Sequence, residues 1–448
     1  MNHQELMSGM SDTYLDRMAS NRIFATFVYP NTFAGYILLL YPLTFVSVLQ
    51  RERKILRLSG AITLAMILPI LAATESMGGW FCFLIVSILM LFFFLVPKNS
   101  YLWVCLATFI ILMFLVYAGV KTKVVPKISS LTDRINYWSA AVNIIKSHPV
   151  AGTGPGNFSQ FYLRYKVPGA MEAKFAHNVI VELLVSAGLI GFIFFALSIF
   201  FFIKKNIKNF LAGNHLLTGF MFGLLGFFLH CLVDFDYADA AICVIAFAFA
   251  GLIESALNPE KKRPQGLTKL IAGIIIIMAL FSAIIEIKAW QVEKSIESVI
   301  AGAGKTREDP IQVLEKAATI FPEPEVFFIQ AEIFKHIYLK TKEYEIAEKA
   351  IVAYKKAIEI NKFSPKYHRA LAMMLMKIGR NQEAEKEFLK VLELYPTKAL
   401  YNFELGIFYK KIGKNELAKI YLERGKTLPA SSKDEAIYIM GYNNGKDL

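Results

Sequence analysis

The sequence predicts an all-α protein in two parts: a polytopic helical membrane bundle of about eight spans, then an α-solenoid of helical repeats. Three observations carry this. The chain of 448 residues is 55% hydrophobic with a mean hydropathy of +0.45, too apolar for a soluble protein. Its apolar residues gather in segments near 31–50, 55–74, 79–96, 101–119, 178–203, 214–233, 238–257 and 270–287, each long enough to cross a bilayer. Beyond Trp290 the chain turns Lys/Glu-rich and repeats itself.

The short loops set the expected orientation. RERKILR (51–57), PKNS (97–100), KKNIK (204–208) and PEKKRPQGLTK (259–269) carry Lys or Arg, whereas TESMGG (74–79) and DFDYADA (234–240) carry none and are acidic. This alternation places the basic loops in the cytoplasm by the positive-inside rule. An outward N-terminal segment (1–30), an outward loop (120–177) and everything after residue 287 follow from it. Residues 1–30 are polar and lack the apolar core of a signal peptide. Either segment 31–50 inserts with its N-terminal end outward, or further helices precede it; the second is the expectation. The net charge of +13 lies largely in loops beside spans and does not argue for nucleic acid. Cys82, Cys105, Cys231 and Cys243 all fall in or beside apolar segments, with neither zinc-site spacing nor an evident disulfide pair.

In the second part, residues 288–448, the repeat has a period of 34. Ile378-Gly379-Arg380 returns as Ile412-Gly413-Lys414, Ala384 as Ala418 and Phe388 as Leu422; one period earlier, Ala350, Tyr354 and Ala357 match Ala384, Phe388 and Val391. Small residues at a helix crossing let paired helices approach, and Pro396 ends a unit. The pattern resembles tetratricopeptide repeats, about three of them across 325–428, with 290–324 as a degenerate first unit. Such solenoids present extended concave surfaces, usually for contact with a protein or peptide partner.

The stretch that carries chemistry is the outward loop. From Lys121 to His177 it holds Lys121, Lys123, Lys127, Arg134, Lys146, Arg164, Lys166 and Lys174 against Asp133 and Glu172, a surplus of six positive charges. A basic, aromatic loop at a membrane surface suits an anionic, lipid-borne, sugar-like substrate. Four stretches are expected to meet there: Arg22 with Pro30-Asn31, the 74–80 turn, the loop with Arg134 and Trp138 ending at His177-Asn178, and His230 through Asp234.

These residues carry a resemblance. Arg134-x-x-x-Trp138, then His148-Pro-x-x-Gly152-x-Gly154-x-Gly156-x-Phe158, then His177-Asn178 at the start of a span, resembles the O-antigen ligase and polymerase superfamily over residues 20–257. Pro30-Asn31 and His230-x-x-x-Asp234 fit the same family. The resemblance implies a metal-independent enzyme without cofactor. Such an enzyme moves a glycan from a polyprenyl-diphosphate carrier to an acceptor hydroxyl outside the bacterial cytoplasmic (inner) membrane. It implies functional roles for Arg134 and His177, with Arg22, Arg164, Trp138, Asn178, His230 and Asp234 as substrate-binding candidates. One departure stands out: where the family often has Ser-Arg-Gly, this chain has Ser76-Met77-Gly78, so Arg22 or Arg164 must supply that charge, or activity is weakened. The family's greater number of spans, about twelve, also fits an N-terminal portion upstream.

Elementary chemistry agrees. Breaking a sugar–diphosphate bond leaves charge on phosphate, which an Arg fork matches in two places. The attacking hydroxyl loses a proton, and an imidazole with an unperturbed pKa of roughly 6.5 can take it. Bland roles compete. Arg134 and Arg22 would serve as interfacial anchors, His177 as a cap on the next helix, and His148 and Gly152, Gly154 and Gly156 as turn formers; His230 and Asp234, one turn apart, suit a structural hydrogen bond. Ala301-Gly-Ala-Gly-Lys305-Thr306 lacks the first glycine of a phosphate loop. The glycan and lipid substrates leave two rival functions: a protein O-oligosaccharyltransferase whose repeats present the acceptor, and a non-catalytic scaffold for envelope assembly.

Overall fold

The structure, a computed structural model, describes residues 22–23, 25–27, 29–49, 53–95, 129–210, 214–257, 265–301 and 309–443. Among them every regular element is helical. The expected span at 101–119 lies outside the described residues, as do most of the polar residues 1–30. Five described helices are long and apolar enough to cross a membrane, and two shorter apolar ones, His215–Cys231 and Ala240–Ala256, occupy the remaining expected spans. The chain forms two compact units.

The first unit takes in residues up to Phe158 and from Lys174 to Lys261. Its axis is α1 (Pro30–Val48), which starts on a proline whose fixed φ suits a first helical position. Around it stand α2 (Lys54–Thr74), α3 (Met77–Leu95), α6 (Val179–Phe210), α7 (His215–Cys231) and α8 (Ala240–Leu257); α4 (Ser129–Ser147) precedes the glycine-rich turn. Leu38, Tyr41, Val86, Met90 and Phe222 form the core against α1. Gly219, Gly223 and Gly226 turn the bare face of α7 to Leu43, Leu39 and Leu38 of α1. Small residues are how helices approach in lipid, where apolar burial gives little drive.

Within α6 the helix breaks at Gly188 (φ 63°, ψ −163°), and the glycine-rich turn fills the break. Leu189 N donates to Pro149 O (2.9 Å) and Ile190 N to Val150 O (3.2 Å). In return, Thr153 N donates to Val185 O (2.8 Å) and Gly154 N to Ser186 O (2.9 Å). Non-helical backbone at membrane depth survives only when protein supplies its partners, as here. The glycines are therefore more than turn formers. A Cβ on Gly188 would sit 2.3 Å from Val150 O, and one on Gly152 would sit 2.5 Å from the Ser186 carbonyl carbon.

The second unit comprises Ser159–Ala173 and residues from Lys262 onward. It contains α5 (Phe158–Tyr165) from its second residue, and α9 (Gln265–Ala301). The apolar stretch of α9 is bare, with Ile274 to Ile277 and Leu280 all exposed. The same helix continues without interruption until Val292, Ile296 and Val299 pack on α10 (Pro310–Ile320), closing the degenerate first unit. The sequence boundary at 287/288 thus falls inside one continuous helix.

Three hairpins follow: α11 (Pro324–Thr341) with α12 (Tyr344–Ile360), α13 (Pro365–Lys377) with α14 (Asn381–Leu394), and α15 (Ala399–Lys411) with α16 (Asn415–Thr427); α17 (Lys433–Asn443) ends the series. Ala350, Ala384 and Ala418 are all buried, as a 34-residue repeat with close helix crossings requires. Tyr354 and Phe388, one period apart, fill the common core.

Candidate active site

The site is built on a turn. After α7 the chain runs through Val233-Asp234-Phe235 into a single 3-10 turn, Asp236–Ala238, before α8. Asp234 is 1% exposed, so its carboxylate must be fully satisfied. Asn31 Nδ2 donates to Oδ2 at 2.7 Å, Arg134 Nη2 to Oδ2 at 3.2 Å, and Phe235 N to Oδ1 at 2.9 Å. His177 Nδ1 lies 3.2 Å from Oδ1. Burial opposes ionisation of Asp234; the bond from His177 and the charges of His230, His177 and Arg134 outweigh it and hold the carboxyl down at about 2.

Arg134, from α4, also gives its Nε to Val233 O (2.6 Å). Arg22 joins through Asn31: its Nη2 donates to Asn31 Oδ1 (2.8 Å) and its Nε to Thr74 O (2.8 Å), at the C-terminus of α2, where a cation complements the helix dipole. Arg22, Asn31, Asp234, Arg134 and His177 thus form one connected network. Arg22 reaches the 74–79 turn, where Met77 stands half-exposed in place of the expected arginine. Arg164 belongs to the second unit, where its side chain pairs with Glu393 (3.6 Å).

His177 adopts φ +52°, a left-handed conformation costly for a residue with a side chain. It does not cap α6. Asn178 does, its Oδ1 accepting from Ile180 N (2.9 Å) and Val181 N (3.0 Å) while its Nδ2 donates to Leu232 O (2.8 Å). Trp138 Nε1 donates to Ala176 O (2.9 Å), fixing the backbone just before the imidazole. The ring itself stacks on Tyr137 (5.6 Å) and meets the edge of Phe235 (4.7 Å). His148 stays outside the cluster, with Nδ1 on Ser147 Oγ (2.9 Å).

His230 and Asp234 do not pair through their side chains as their spacing predicted. The turn points Asp234 away, and the buried His230 instead holds Asp236, Nδ1 to Oδ2 at 2.5 Å. Burial pushes the Asp236 carboxyl above the usual carboxylate range, against the pull of His230. Gly35 of α1 leaves room for this pair: a Cβ there would fall 1.8 Å from Asp236 Oδ2. Asn31 stands in a stretch that the sequence places at the site, whereas Tyr137, Phe235 and Asp236 are members that its motifs do not name. The acidity of the 234–240 loop is the sequence signal that points to Asp236. Among the described residues no cluster of His, Cys, Asp or Glu is placed to hold a metal.

Residues 61–196, from α2 into α6, match the family described as O-Antigen ligase. These residues are similar to an O-antigen ligase domain. They include Arg134, Trp138, the glycine-rich turn and His177-Asn178, while Arg22, His230 and Asp234 lie outside the matched span. A tetratricopeptide repeat matches at 367–398, over α13 and α14. The O-antigen ligase match and the apolar helices support a multi-pass membrane protein with a function of glycosyl ligase or polymerase type. No curated protein matches. Solved structures with partial similarity include "Crystal structure of MamA protein" (15% identity, TM-score 0.27, covering 36% of this chain and 77% of that one) and "MamA AMB-1 C2221" (21% identity, TM-score 0.25, covering 31% and 76%).

Proposed function

We propose that this protein is a glycosyltransferase that moves a glycan from a polyprenyl-diphosphate carrier to an acceptor hydroxyl at the outer side of the bacterial cytoplasmic membrane. The observation that carries this reading is the shared carboxylate: Asp234 gathers Arg134 and His177 on its two oxygens and Arg22 through Asn31. The outward side follows from the basic loops at the other helix ends.

His177 Nδ1 on Asp234 fixes the ring and leaves Nε2 as the atom that takes the proton. The acceptor oxygen loses its proton to Nε2 and bonds to the anomeric carbon. The bond from that carbon to the diphosphate oxygen breaks, and its electron pair leaves with the diphosphate. Asp234 stabilises the imidazolium so formed, as a carboxylate behind a catalytic histidine does. Arg134 and Arg22 face the charge that grows on the leaving group, and Arg22 takes the place of the arginine that Met77 displaces. A general base contributes about 10²–10⁴-fold, and each well-placed cation adds to that.

The reading is tested by incubating purified full-length protein in liposomes with a labelled polyprenyl-diphosphate oligosaccharide, an acceptor glycolipid and EDTA. Attack opposite the leaving group predicts transfer of the label with an inverted anomeric centre. Retention of configuration, or transfer no greater than in protein-free liposomes, would refute it.

A further inference from the structure

The second unit holds a piece of the long loop between α4 and α6. Residues 159–173 cluster with the repeats rather than with the membrane helices at either end of the loop. The grip is specific. Lys166 is buried, and its Nζ donates to the hydroxyl of Tyr395 at 3.0 Å. That hydroxyl donates in turn to Glu172 Oε1 at 2.9 Å, and Lys398 Nζ lies 3.5 Å from the same oxygen. Phe161 packs on Phe363 at 4.8 Å.

Tyr395 and Lys398 are not what the repeat itself asks for. One period away in either direction, the chain has Asn361 and Pro429 in place of Tyr395, and Ser364 and Ser432 in place of Lys398. The helices starting at Pro365, Ala399 and Lys433 keep that register. These two residues depart from the repeat where they meet the bound segment, although Lys398 also lies 3.5 Å from Glu435 Oε2 of α17 and the Tyr395 ring lies 5.8 Å from that of Tyr401. A buried lysine needs such partners, because an unpaired one would lose its hydration for nothing.

We propose that the repeats take as their ligand a segment of their own chain, residues 159–173, and that this hold positions the loop that ends four residues later at His177. Lys166, Glu172, Tyr395 and Lys398 are then positioning residues. The repeats act on transfer through the loop rather than by presenting an acceptor. The hold on 159–173 stands apart from the glycosyl-transfer reading; only the consequence for catalysis rests on it.

The test is hydrogen exchange on the full-length protein in lipid nanodiscs, which needs no substrate. Tyr395→Phe keeps the ring and removes the bridging hydroxyl; Lys398→Ser restores the residue found at the equivalent repeat positions. Both are expected to speed exchange across 159–173 and across 174–178 by about tenfold, the size of one lost buried hydrogen bond. Lys349→Ala, on an exposed pair with Glu345, should change neither. Lys166→Arg should keep slow exchange where Lys166→Met does not, which separates the ion's role from mere packing. Unchanged exchange in Tyr395→Phe and Lys398→Ser, or faster exchange confined to 159–173, would overturn the proposal. Loss of transfer with unchanged exchange would overturn it equally, while leaving the glycosyl-transfer reading in place.

Discussion

Asp234→Asn is expected to leave a folded protein and to lower the rate of glycan transfer by about 10³- to 10⁴-fold, the loss seen when a catalytic histidine loses its carboxylate. The isosteric amide keeps a group of the same size under Phe235 N but carries no charge. Arg134 then loses its ion pair, and His177 loses the anion that stabilises its protonated form. Asp234→Ala should do more harm. It removes one partner from a buried charged network, which costs about 3–5 kcal/mol when the other charges are left uncompensated. Initial transfer rates in liposomes, with thermal unfolding followed by circular dichroism on the same samples, separate the two effects. A rate for Asp234→Asn within tenfold of the unaltered protein would show that the carboxylate is not part of the chemistry.

Gly188→Ala is expected to prevent accumulation of the folded membrane unit. Its Cβ would fall 2.3 Å from Val150 O and 2.5 Å from Val150 C, both backbone atoms that cannot swing aside, at a φ that disfavours any side chain. Overpacking and left-handed strain together cost about 3 kcal/mol or more. Gly152→Ala should behave alike, since it strikes the same seam from the other side. Gly156→Ala is the control: it shares the positive φ, yet nothing lies within 4 Å of the new Cβ, so it should cost only about 1 kcal/mol. Size-exclusion profiles and melting temperatures of the three variants in detergent decide this. Equal stability of Gly188→Ala and Gly156→Ala would mean that the seam is looser than the structure shows.

The contrast between what the sequence shows and what it hides follows from range. Apolar runs and the 34-residue period are local signals, and they delivered the helical bundle and the buried Ala350, Ala384 and Ala418. The gathering of Arg22, Arg134, His177 and Asp234 was legible from a spaced motif and from the shared side of the loops. Nothing local says that His230 pairs with Asp236 instead of Asp234. That depends on the path of a turn and on the gap left by Gly35 on another helix. The repair of the α6 break by the 149–154 turn is likewise a contact between strands of backbone far apart in sequence, visible only as glycines. The membership of 159–173 in the repeat unit is hidden for the same reason: Lys166 looks like any loop lysine until Tyr395 is beside it.

On the proposed mechanism, fixed cations receive the diphosphate while an imidazole deprotonates the acceptor. The direct test is the steady-state kinetics of His177→Ala and Arg134→Ala, with labelled polyprenyl-diphosphate oligosaccharide as donor. His177→Ala is expected to lose about 10²–10⁴-fold in kcat, and Arg134→Ala to lose kcat/KM for the donor. Transfer at the unaltered rate in both variants would contradict it.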